Sequence, residues 1–171
     1  GIASIIIMIK QTLQDNKNLS GVFLCKNSFE FEDGKNEFEY YKSYFGDRVT
    51  LVPQDKNRYS TYYGMDQSKV ILSINSTAAI EAFGWGKKVL LYDPTPELYL
   101  SGDYKAGDWI LTENDYNLFT EKINCLLNGT FNTKIFKEYS QYCMKYSGKK
   151  SAFMKMQEVL MSNPNLPKRK R

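Results

Sequence analysis

Short, mostly apolar runs alternate along the chain with longer stretches of helical spacing. Val22–Cys25, Val49–Val52, Val70–Ile74, Val89–Tyr92 and Trp109–Leu111 lack the in–out alternation of a half-exposed strand and predict strands buried on both faces. Between and after them, helices are predicted over Asn36–Phe45, Thr77–Gly84, Thr133–Tyr146 and Ala152–Met161, and a short helix or turn over Arg58–Met65. The first of these carries an aromatic face of Phe38, Tyr41, Tyr44 and Phe45, and Gly46-Asp47 stops it. Another helix is predicted from Thr112, which with Asp115 makes a capping-box-like start, through Leu118, Phe119, Ile123, Leu126 and Leu127 to Gly129. Ile5, Ile6, Ile9 and Leu13 give Ile5–Asn16 a helical spacing, although the run Ile5-Ile6-Ile7 fits a strand as well. Asn27–Asn36 is polar, contains Asp33-Gly34 and reads as a loop.

Buried strands alternating with helices predict a parallel sheet covered on both faces. The expected fold is a Rossmann-like, doubly wound α/β domain of about five strands over residues 1–161, followed by a basic tail at 162–171. Ligands of such domains bind beyond the carboxyl ends of the strands, beside helix amino termini.

One stretch falls at that edge. The third run ends at Ile74 or Asn75 and the next helix opens at Ser76 or Thr77, so Asn75, Ser76 and Thr77 lie where a ligand is expected. A helix amino terminus exposes unpaired N–H groups and partial positive charge, and hydroxyls beside it add donors for a phosphate or diphosphate. Glu81 is too far along for a capping box, yet it lies about one turn beyond Thr77 on nearly the same face. A carboxylate there can accept two hydrogen bonds from a vicinal diol such as a ribose. The same residues also fit a plain N-cap and a surface acid. Lys26, after the first run, and Arg58 are candidate phosphate cations, and each fits equally as a surface charge. Asp93-Pro94-Thr95 reads as a turn or as part of the cleft wall. Tyr99, Tyr104 and Trp109 read as packing residues or as a base-stacking surface.

Composition narrows the chemistry. Histidine is absent, which removes histidine triads, histidine metal sites and a histidine base from this chain. Cys25, Cys125 and Cys143 are odd in number and widely spaced, which argues against a disulfide framework or a cysteine zinc site and fits a reducing compartment. No run approaches the roughly 18 apolar residues of a membrane span, and Ile2–Ile9 lacks the flanks of a signal peptide. The net charge of +4 is modest, and Lys168-Arg169-Lys170-Arg171 reads as a solvated terminus or as a contact for a membrane surface. Without a basic stripe interleaved with aromatics, nucleic acid is not an expected partner. The chain opens on Gly1, directly in an apolar segment, which leads us to expect an excised piece of a longer protein.

Ser76-Thr77-x-x-x-Glu81-Ala82-x-x-x-Gly86-Lys87-Lys88-Val89 resembles the donor-site motif in the C-terminal half of GT-B glycosyltransferases. The likeness is nearest to bacterial surface-polysaccharide transferases of sialic-acid and Kdo type. It covers Val49–Leu127 in element order, and Ser76–Val89 as a motif. The resemblance implies that Ser76 and Thr77 hold the donor phosphate, that Glu81 holds the ribose, and that Gly86-Lys87 ends the helix. It implies a metal-independent transferase with no cofactor beyond its nucleotide-sugar substrate. In such an enzyme the helix dipole and basic side chains stabilise the departing phosphate. Lys26 matches by position the basic residue that relatives carry after the first strand. The implied partners are a nucleotide sugar, a glycan or lipid-linked acceptor, and an N-terminal domain of the same chain. That domain would supply the catalytic base, so no catalytic residue is assigned in this chain. The implied location is cytoplasmic, peripheral at the inner membrane face, and the last helix, with Phe153, Met156, Val159 and Leu160, would cross back onto the missing domain. Two alternatives stand beside this reading: a noncatalytic α/β protein-interaction domain, in which Ser76 and Thr77 only cap a helix, and a GT-B-shaped nucleotide-sugar epimerase.

Overall fold

The computed structural model describes residues 2–55, 59–74, 76–94 and 109–143, with side chains to residue 138. Arg58, Asn75, Thr95, Tyr99, Tyr104, the helix expected at 152–161 and the basic tail lie outside the described residues. The elements run α1 (Ile2–Asp15), β1 (Gly21–Leu24), α2 (Glu32–Phe45), β2 (Val49–Val52), α3 (Ser60–Gln67), β3 (Val70–Ser73), α4 (Thr77–Gly84), β4 (Lys88–Tyr92), β5 (Ile110–Leu111), α5 (Tyr116–Asn128) and α6 (Thr133–Cys143). The protein is α/β, with every described strand pairing parallel.

The strands form two sheets, β1-β2 and β3-β4-β5, where the sequence pattern suggested one. Apolar runs identify which stretches are strands but not which of them share a ladder, because pairing depends on contacts distant in sequence. Side chains rather than backbone bonds join the two sheets: Phe23 and Leu51 pack in the same core as Val70, Leu72 and Leu90. Alternation then assigns two layers. Leu72, Leu90, Tyr92 and Leu111 face a core shared with α1, α2 and α5, whereas Ile71, Val89 and Leu91 face a second core shared with α3, α4 and α6.

The first segment is a helix. Ile5, Ile6, Met8, Thr12 and Leu13 are buried along one face at helical spacing, which sets aside the strand reading. The segment expected as a loop is shorter than its polarity suggested, since α2 begins at Glu32. Glu32 and Asp33 sit in its first turn, where negative charge favours the exposed N–H groups. α5 starts at Tyr116 rather than after Thr112. Asp115 is itself the N-cap, its Oδ1 accepting from the Leu118 N–H at 2.8 Å. Trp109 is 1% exposed and belongs to the second core, so it is a packing residue.

α3 joins the two halves. It lies close on β1, where the Leu24 side chain packs against Gly64. On its other side it is tied to α4 and the turn after it. Tyr62 donates to Glu81, and Lys87 Nζ donates to the Asp66 carbonyl at 2.7 Å and pairs with Asp66 Oδ1 at 3.2 Å.

Cys25 closes β1 and is 5% exposed. Burial, and after it the charge of Glu37, pushes its thiol up to about 11. Because the thiolate is the nucleophile, iodoacetamide at about pH 8 is expected to modify the partly exposed Cys125 while Cys25 stays protected until the chain unfolds. Peptide mass mapping reads this directly, and equal labelling of the two thiols would contradict the burial of the β1 end.

Candidate functional site

α4 is built to present one face and bury the other. Ala79, Ala82 and Phe83 are buried against the sheet, and Thr77 and Glu81 fall on the opposite side, a turn apart. The small side chains of Ala79 and Ala82 let the helix lie low over Val89 and Leu91. Ser76 is the N-cap: its Oγ accepts from the Ala78 N–H at 3.3 Å, and its carbonyl accepts from the Ala79 N–H at 2.9 Å. Replacing Ser76 with alanine is expected to cost roughly 1 kcal/mol of stability in urea denaturation. Glycine at the same position should cost only a few tenths of that. An unchanged midpoint in Ser76→Ala would show that the cap bond does not form.

The helix ends in a Schellman motif. Gly86, at φ +78°, donates to the Phe83 carbonyl, and the Lys87 N–H donates to the Ala82 carbonyl, both at 2.9 Å. Gly86 therefore supplies the left-handed residue that turns the chain from α4 into β4. The two lysines that follow hold the frame: Lys87 pairs with Asp66, and Lys88 Nζ donates to the Leu127 carbonyl at 3.3 Å.

Glu81 is half-buried, and its Oε2 accepts from the Tyr62 hydroxyl at 2.6 Å. No described residue donates to Oε1. This bond, with burial and the carboxylate charge adding to it, pushes the Tyr62 hydroxyl up to about 12. Tyr62 therefore stays a protonated donor at every pH below its ordinary value of 10, and the stabilisation from this bond is lost as pH rises from there toward 12. The result is a carboxylate fixed in direction by Tyr62 on the face of α4 that carries Thr77, with no donor to its second oxygen among the described residues.

The other expected residues divide. Ser76, Thr77 and Glu81 share one helix at the carboxyl edge of β3. Asn75 and Arg58 lie outside the described residues. Lys26 is exposed just past the end of β1, and no hydrogen bond or ion pair among the described residues joins it to α4. Its backbone N–H donates to Glu37 Oε1 at 3.0 Å, and Glu37 Oε2 accepts from the Asn27 backbone N–H at 3.0 Å and its side-chain amide at 3.1 Å. Glu37 thus clamps the turn that carries Lys26 at the carboxyl edge.

Tyr62 escaped the sequence reading. It lies in a short, weakly periodic segment, and no spacing rule relates it to Glu81. Among the described residues, no helix is long and apolar enough to cross a membrane.

Residues 4–122 match the profile of a family described as a putative O-antigen biosynthesis protein. The matched span contains the five described strands and α4. No curated protein and no solved structure matches the chain.

Proposed function

The chain belongs to the family described as putative O-antigen biosynthesis protein, and from that premise we propose that it is the donor-binding domain of a glycosyltransferase that builds a bacterial surface polysaccharide. It binds a nucleotide-activated sugar at the carboxyl edge of β3. The donor phosphate sits at the amino end of α4, held by backbone N–H groups and the Thr77 hydroxyl, with the helix dipole offsetting charge on the departing nucleotide. Glu81 accepts the ribose hydroxyls. Lys26 and Arg58 are the candidate cations for the phosphate, and the acceptor and its base belong to another part of the enzyme.

The observation that carries this reading is the Tyr62–Glu81 bond. A surface acid on a short helix needs no partner, whereas a carboxylate held by a phenol, with no described donor on its other oxygen, is arranged to receive a ligand. The test is a chemical-shift titration of the full chain with CMP, UDP and GDP. Shifts clustered over residues 73–82 are expected for at least one of them. No shift with any of the three would overturn the reading and leave α4 as scaffold.

A further inference from the structure

Asp93 is the buried titratable group that the proposed function leaves unused. It is 5% exposed, and among the described residues neither of its carboxylate oxygens has a hydrogen-bond partner. Its backbone is well placed: the Asp93 N–H donates to the Leu111 carbonyl at 2.8 Å and so extends the β4–β5 ladder by one residue beyond Tyr92. No described lysine or arginine pairs with it. A charged group taken from water without donors opposes folding, and native chains keep such groups where a ligand or a reaction needs them.

Position says which ligand. Along β4, Leu90 and Tyr92 face the first core, and Val89 and Leu91 face the second core beneath α4. The two-residue period puts Asp93 on the α4 side. Leu91 is the register partner of Ser73, the last residue of β3, so Asp93 lies beyond the strand ends, at the edge where Ser76 and Thr77 begin α4. An ionised carboxylate only accepts hydrogen bonds, so it repels a phosphate and attracts O–H or N–H groups. The phosphate and the ribose already have places at Thr77 and Glu81. The remaining part of an activated sugar is the polyhydroxylated ring.

We propose that Asp93 is a sugar-binding carboxylate at the carboxyl edge of β4 beside α4, accepting hydrogen bonds from hydroxyl groups of the transferred sugar. The inference rests on the donor-binding reading above and adds to it the subsite that separates a nucleotide sugar from a bare nucleotide.

The experiment measures affinities of UDP-glucose, GDP-mannose, dTDP-glucose and CMP-sialic acid, each beside its free nucleotide, by calorimetry on the wild type, Asp93→Asn and Asp93→Leu. Wild type is expected to bind one nucleotide sugar more tightly than its nucleotide. Both variants should lose that advantage by roughly tenfold while holding the free nucleotide as before. Asp93→Leu should also melt at or above the wild-type temperature, because it replaces a buried polar side chain that has no described partner with an apolar one. An unchanged sugar-to-nucleotide ratio in a variant that melts well below wild type would make Asp93 a structural group and overturn this inference alone. Failure of wild type to bind any probe overturns the donor-binding reading, and the role of Asp93 with it.

Discussion

Glu81→Ala should weaken nucleotide binding by roughly a hundredfold while leaving the fold intact. The estimate follows from the two bonds that a carboxylate makes to a diol. Hydrogen bonds to a charged group contribute about 1.5 kcal/mol or more each, and each 1.4 kcal/mol is about a factor of ten in affinity. The stability cost should be small, because Glu81 is only half-buried and the stranded Tyr62 hydroxyl can turn to water. Tyr62→Phe separates orientation from charge. It keeps the carboxylate but frees it to rotate, so it should weaken binding by roughly fivefold to tenfold, the value of one such bond. The order wild type, Tyr62→Phe, Glu81→Ala is the signature of a ligand-receiving carboxylate. A merely structural pair would give two variants with similar melting losses and unchanged affinity for whichever nucleotide the wild type binds.

The parts of this site that could be read in advance are those encoded locally. Thr77–Gly84 was legible because alanines at helical spacing follow a hydroxyl pair and precede Gly86, and these features fix a start, a buried face and a stop within one stretch. β2 was legible for the same reason, as a β-branched run closed by Pro53. What local pattern missed depends on partners far along the chain. The start of α2 was hidden by Asp33-Gly34, yet Gly34 is buried where a Cβ would stand 1.9 Å from the Ser28 carbonyl oxygen, so the glycine marks a close approach and not a turn. Tyr62 acquires its role only when α3 bridges to α4. Asp93 carried a readable signal, because it continues an apolar run that was expected to be buried, but the proline after it favoured the plain reading as a turn.

Phe83→Ala should destabilise the domain by about 3–5 kcal/mol, a large share of the roughly 5–15 kcal/mol that holds such a domain together. Phe83 is fully buried at the centre of the second core. Its ring meets Trp109 edge-on, with centroids 5.7 Å apart, and Phe136 at 4.6 Å, so one side chain from α4 joins the start of β5 to α6. Truncation leaves a cavity among three elements that cannot all collapse into it, which puts the cost at the upper end for a large-to-small change. Phe83→Leu fills most of the space and should recover more than half of the loss. Urea denaturation followed by the fluorescence of Trp85 and Trp109 reads both variants, and a loss under about 1 kcal/mol in Phe83→Ala would refute the packing described for this core. The same variant probes how the site is held. Phe83 lies on the underside of the helix whose outer face carries Thr77 and Glu81, and the Lys87–Asp66 and Tyr62–Glu81 contacts tie that helix to α3. Below its melting temperature, Phe83→Ala should therefore retain nucleotide binding with an affinity lowered far less than in Glu81→Ala, because α4 is clamped from above as well as packed from below.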